Sequence, residues 1–228
     1  MMRTESKPEI YTTIHKGWRN RLFQMSIKAG RQDYTDQASL DTFYSELQSV
    51  VAGIRLHHHS MEERFIHPLL SARAPGGIER LDRQHRHVDH LLDNLLLHFN
   101  AMRSQAAAFE KRRELGLEFY LAFNRFISFF LIHIDQEEEQ IQPALWNLCT
   151  GEELETAWRA ILASQTPQEA IENLGMILSS ADVDEVGNLL AFAKASLPAE
   201  QFKLGSEYAQ SVLDPDDWST LRDRLGVV

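Results

Sequence analysis

Residues 57–68 read HHHSMEERFIHP, four histidines and two glutamates closed by a proline. A second stretch, HIDQEEEQIQP at 133–143, repeats part of it: His58-x3-Glu62-Glu63-x4-Pro68 matches His133-x3-Glu137-Glu138-x4-Pro143 position by position. Both stretches lie in long runs whose apolar residues recur every third or fourth position, the period of an α-helix. A histidine and a glutamate at i and i+4 share one helix face, their Cβ atoms about 5–6 Å apart, so both can reach one metal ion. The chain therefore carries a duplicated helical element armed with ligand-type side chains.

The same periodicity extends nearly throughout and no segment alternates as a strand does, so the fold class is all-α. Breaks at AGRQDYTD (29–36) and APGG (74–77) predict a first helix from Pro8 to Lys28 and a second from Gln37 to Ala72. A third runs from Ile78 to Met102 and a fourth from Phe109 to Asn147. Four long helices with short connections predict an antiparallel up-down-up-down bundle over residues 1–150. After Thr150 the breaks SQTPQE, SLPAE and LDPDD mark a C-terminal region of short helices over 151–228, with a weak repeat of 16 to 19 residues seen in Leu178, Leu197 and Leu213.

On the second helix the core stripe reads Leu47, Val51, Ile54, His58, Glu62, Phe65, Leu69; on the fourth it reads Phe119, Phe123, Phe126, Phe130, His133, Glu137, Ile141, Ala144. Each is an apolar seam interrupted by one histidine and one glutamate. The first helix gives Tyr11, His15, Trp18, Leu22, Met25, Ala29, and the third gives Leu81, His85, Val88, Leu92, Leu95, Phe99. In an antiparallel bundle the early histidines, His15 and His85, fall level with the late pairs His58/Glu62 and His133/Glu137. Burying these six groups together is costly unless a cation compensates them. Two histidines and one glutamate about each of two metals, with bridging glutamates, fit the sites of helical bundles, and mixed nitrogen and oxygen ligation suits iron.

The rival pair is His59 with Glu63, and the shared proline frame decides for His58 with Glu62. His57 has Met61 at i+4, lacks a carboxylate mate and reads as a surface or outer residue. His67, His87, His90 and His98 read as solvated, and Cys149 as a small core residue.

Bulk properties exclude other classes. The net charge of −10 argues against nonspecific nucleic-acid binding and against an anionic membrane surface. The acidity sits in the C-terminal region, with 14 acidic against 5 basic residues from Gly151 onward and 19 against 18 before it. Cys149 cannot pair internally and MMRTESKPEI has no signal-peptide h-region, so a reducing cytoplasm is expected. The apolar run Leu115–Ile134 carries Glu118, Asn124, Arg125 and His133, too many polar groups for a lipid-facing span.

With those residues in view, the chain resembles the hemerythrin-like (HHE cation-binding) domain family. The likeness covers residues 10–148, through IHKGWR, HHSMEERFIHPLL, RQHRHVDHLL and HIDQEEEQIQPAL in order. It implies that His15, His58, His85 and His133 are terminal ligands and that Glu62 and Glu137 are bridges in a non-haem di-iron centre. Oxygen-carrying hemerythrins have a second histidine one turn after the first on the third helix; here Asp89 stands there. Asp89 either ligates, or orients His85, or leaves its place to water.

The expected function is binding or sensing of a small ligand (O2, NO or peroxide) or of iron itself. The alternatives are a di-iron enzyme, a peroxidase or a nitrosative-damage repair protein, and a metal-stabilised interaction module. In the last, the acidic C-terminal region docks a protein partner or covers the bundle.

Overall fold

A computed structural model describes residues 7–74, 76, 78–104 and 109–226. The breaks expected at Pro75, Gly77 and 105–108 therefore lie outside the described residues, as does most of the N-terminal decapeptide. The described residues are helical, with no strand among them. By contact the chain groups into two units, residues 22–139 in one and residues 1–21 with 140–228 in the other.

Helix α1 spans Thr12–Arg31, α2 spans Gln37–Arg55, α4 spans Glu79–Arg103 and α5 spans Phe109–Gln136. The Glu9 carboxylate accepts the free backbone N–H groups of Tyr11 and Thr12, and Asp36 accepts that of Ser39, which satisfies donors that a helix start leaves open. Within the 22–139 unit the α2 and α4 contacts run in opposite order along the chain. Phe43 stacks on Phe99 at 5.3 Å between centroids and His58 on His85 at 4.1 Å. The α4 and α5 contacts do the same, Phe99 meeting Phe119 at 4.9 Å and His85 meeting His133 at 5.0 Å. Tyr34 closes the α1–α2 turn by donating to Ala29 O over 2.8 Å. Its ring lies so close over Gly116 of α5 that a Cβ there would collide with it, and glycine permits the approach.

Helix α2 does not end at Arg55. It continues as a π-helix over Leu56–Ile66 and then as α3 over His67–Ser71; α5 likewise continues as a π-helix over Glu137–Ile141 and then as α6 over Gln142–Leu148. In both places a proline, Pro68 or Pro143, enters the first turn after the π segment. Proline donates no hydrogen bond and its ring crowds the carbonyl four residues back, which opens the preceding turn. The wider turn adds a residue and corrects the predicted stripes by one position. Beyond Glu62 the buried residues are Ile66, His67 and Leu70, not Phe65 and Leu69; beyond Glu137 the stripe falls on Gln142 and Leu145, not Ile141 and Ala144. The duplication read in the sequence is thus a duplication of backbone irregularity as well.

By length and composition Lys111–Leu148 could cross a membrane. Its Phe119, Phe123, Phe126 and Phe130 side chains are instead packed in the protein core.

In the other unit, α7 (Gly151–Ser164), α8 (Pro167–Leu178), α9 (Val183–Ser196), α10 (Ala199–Val212) and α11 (Pro215–Leu225) follow one another. Their N-caps are Thr150, Thr166, Asp182, Pro198 and Asp214, each 16 positions after the last. Thr150, Thr166 and Asp182 form reciprocal capping boxes with Glu153, Glu169 and Glu185. Ile161, Ile177, Ala193, Ala209 and Leu225 share one place in that period, and all are buried. The weak repeat is therefore a regular one; of the three leucines that suggested it, only Leu197 and Leu213 are equivalent. Helix α8 packs on α10 and α9 on α11 around Ile177, Val186, Leu190, Ala209, Leu221 and Leu225. The start of α1 rests on this array. Ile14 joins its core, Lys16 pairs with Glu185 at 2.6 Å, and a Cβ on Gly17 would stand 2.9 Å from that of Met176.

Candidate metal centre

Five of the six residues singled out from the sequence belong to the 22–139 unit, and they meet. His85 Nε2 lies 3.3 Å from Glu62 Oε2 and 3.5 Å from Glu137 Oε1. His133 Nε2 lies 3.3 Å from the same Glu137 oxygen and 3.3 Å from His58 Nε2. All five side chains are buried. The sixth, His15, lies in the first turns of α1 in the other unit; it is also fully buried, its ring 5.4 Å from that of Tyr11.

Burial separates the two registers of the opening stretch. His58 and Glu62 are inside, whereas the His59 and Glu63 side chains keep 41% and 35% of their exposure. Glu63 nonetheless takes part, because its Oε1 accepts the Nδ1 proton of His85 over 2.9 Å and its Oε2 is bound by His59 Nδ1 over 2.9 Å. Asp89 does not face His85. It accepts from His59 Nε2 at 2.9 Å and from Arg55 Nε at 3.3 Å, and Glu63 does the orienting. A hydrogen-bonded chain thus runs from buried His85 through Glu63 and His59 to Asp89.

His67, expected in solvent, is inside, and His57 is an outer partner of Glu62 rather than a surface residue. His57 Nε2 stands 3.1 Å from Glu62 Oε1, and His67 Nδ1 stands 3.2 Å from Asp82 Oδ1. Both are buried. The π winding is the cause: with bonds from i to i+5, residues 57, 62 and 67 fall under one another, an alignment that the ordinary helical phase denies. The available signal was the proline ten residues after His58 in a helical pattern, which predicts a disturbed turn ahead of it. Of the remaining histidines, His87 and His90 are exposed and His98 is half-buried beside Glu118.

The electrostatics describe a cluster of buried groups that balance one another through shared protons. Burial pushes the Glu137 carboxyl up, and the neighbouring Glu62 charge adds to it, giving a pKa of about 8. Burial also resists charge on His85, but hydrogen bonds to Glu137 and Glu62 outweigh it and raise that imidazole to about 11. His57 and His85 hold Glu62 well below the carboxylate range against the cost of its burial. Burial and the His85 charge keep His58 neutral, the form in which an imidazole ligates. In the metal-free protein the proton on His85 is the positive charge between two glutamates.

Hydrogen bonding shows what that proton leaves undone. His58 Nδ1 and His67 Nε2 are buried without a hydrogen-bond partner, and the two Glu62 oxygens have only the ring nitrogens of His57 and His85, 3.1 and 3.3 Å away and poorly aligned for hydrogen bonding. His58, His85 and His133 each offer a nitrogen within 4.8 Å of the others, and Glu62, His67 and His85 each offer an atom within the same distance. These donors fit a bound metal, which would satisfy the orphaned atoms and take the place of the His85 proton. On the other side Phe126 and Phe130 continue the phenylalanine ladder of α5 up to His133, so this flank is apolar.

Residues 8–145 match the family model described as hemerythrin HHE cation binding domain. No curated protein and no solved structure matches the chain.

Proposed function

Because the chain belongs to the hemerythrin HHE cation-binding domain family, we propose that it is a non-haem di-iron protein that binds or senses a small molecule such as O2, NO or peroxide. His15, His58, Glu62, His85, His133 and Glu137 would hold the metal, the two glutamates being shared between its ions. The four long helical segments form the family's up-down-up-down bundle, within a metal-binding domain over residues 1–150. The observation that carries this reading is the convergence of four buried ligand-type side chains, His58, Glu62, His133 and Glu137, on buried His85. Imidazole mixed with carboxylate is a donor set that suits iron.

Bound there, two ferrous ions would supply electrons and an open coordination position to a small molecule. The chain supplies the surroundings. Glu63 fixes the His85 ring so that Nε2 points inward, and the phenylalanine ladder keeps one flank dry.

A second reading, a di-iron enzyme that reduces peroxide or acts in nitrosative-damage repair, is favoured by one observation. Reversible carriage of O2 wants no proton source, yet His85, Glu63 and His59 form a continuous hydrogen-bonded chain from the buried cluster to a side chain at the surface. The lone buried Cys149 fits a reducing cytoplasm, and the acidic 151–228 region is where a protein partner would dock.

Stopped-flow mixing of the reduced, iron-loaded protein with O2, NO and hydrogen peroxide tests both readings. Binding or sensing gives a ligand-dependent change in di-iron absorption with any of the three. Repeated turnover of peroxide with an added reductant establishes the enzyme instead. A protein holding two irons that responds to none of the three refutes small-molecule chemistry at this site.

A further inference from the structure

His67 is a buried imidazole to which the six-ligand set gives no role. Its Nδ1 lies 3.2 Å from Asp82 Oδ1, and a carboxylate there accepts the Nδ1 proton. That fixes the tautomer and leaves the lone pair on Nε2. Nε2 is itself buried and has no hydrogen-bond partner. The ring lies 5.1 Å from that of His85, and His67 offers a ligand atom within 4.8 Å of atoms of Glu62 and His85. A carboxylate behind one ring nitrogen and an unsatisfied second nitrogen facing other ligand-type groups is the arrangement a metal-bound histidine adopts. The backbone holds it there, since the π segment ahead of Pro68 turns residue 67 under Glu62.

We propose that His67 is a fifth imidazole ligand, coordinating through Nε2 beside Glu62 and His85, with Asp82 as its positioning residue. It rests on the di-metal reading above. It also accounts for the ligand count: where oxygen-carrying hemerythrins place a further histidine on the third helix, Asp89 is engaged by His59 and Arg55. The missing imidazole comes instead from the turn after the first π segment.

The test is titration of the metal-free full-length protein with Co(II) against a competing chelator, recording the visible absorption of the bound cobalt. For His67→Ala, affinity for at least one cobalt falls about 10- to 100-fold or more and the ligand-field bands change. Asp82→Ala moves both in the same direction by less, and His98→Ala moves neither. Wild-type affinity and bands in His67→Ala, while His58→Ala loses cobalt, would overturn the proposal and leave the di-metal reading standing. Wild-type binding by both variants overturns that reading as well. A second measurement needs no variant. In protein labelled with 15N-histidine and assigned in its Zn(II) form, the His67 ring signals leave the diamagnetic range on exchange to Co(II); signals that stay within it refute ligation.

Discussion

Glu63 Oε1 accepts the Nδ1 proton of His85 over 2.9 Å, and the other oxygen of the same carboxylate is held by His59. Glu63 is thus the residue that aims the most central imidazole of the cluster, although it lies half outside the core. Removing such a support costs a metal site about 10- to 100-fold in affinity while leaving the ligands themselves in place. Glu63→Ala should show a loss of that size in chelator competition, with Glu63→Gln in between, since an amide oxygen can still accept the proton.

The two registers of the histidine run predict different outcomes. His58→Ala removes a buried nitrogen facing His133 and should abolish binding of at least one metal ion, read by metal analysis of the purified protein. His59→Ala breaks only the outer contacts to Glu63 and Asp89 and should cost less than Glu63→Ala. Equal losses from His58→Ala and His59→Ala would refute the inward assignment of His58.

The metal-free protein should lose stability as pH rises. Glu137, with a folded pKa of about 8, contributes most below its unfolded value near 4.5, and that contribution disappears as pH passes about 8. His85, raised to about 11, contributes fully below 6.5 and progressively less up to about 11. Glu62, depressed, acts oppositely and only in acid, below 4.5. Denaturant midpoints measured without metal should therefore be lower at pH 9 than at pH 6. Metal binding must expel these same protons, so affinity should increase over that interval. An affinity independent of pH would show that neither group is displaced by the metal.

Gly17 permits α1 to approach Met176 so closely that an added methyl group stands 2.9 Å from another Cβ. Gly17→Ala should therefore destabilise the protein by about 1–3 kcal/mol, as overpacking does, measured by urea unfolding. Gly151→Ala, where an added Cβ meets nothing within 4 Å, is the matched control with little change.

Much of the architecture was legible because helical period is a strong signal. The stripe Tyr11 to Ala29 on α1 and the stripe Leu81 to Phe99 on α4 are buried at every position read from the sequence. Phase arguments failed just where the helix stops being an α-helix. A 3.6-residue turn takes His67 to solvent and puts His57 out of phase with the ligand stripe, and it takes Phe65, Leu69, Ile141 and Ala144 to the core. Pro68 and Pro143 were used as a ruler for alignment, whereas physically they produce the change of winding that sets the ligand positions. Glu63, set aside with His59 as the rival ligand pair, contributes instead through a contact with another helix, which no local pattern encodes.

The regular spacing of Thr150, Thr166, Asp182, Pro198 and Asp214 limits how the C-terminal region can change in length. Loss or gain of one residue inside the array throws every later helix out of step with the partner two places along, whereas excision of one whole 16-residue unit restores the sequence of caps and buried positions. Relatives of this chain should therefore differ here by whole helices, as beads are added to or taken from a string.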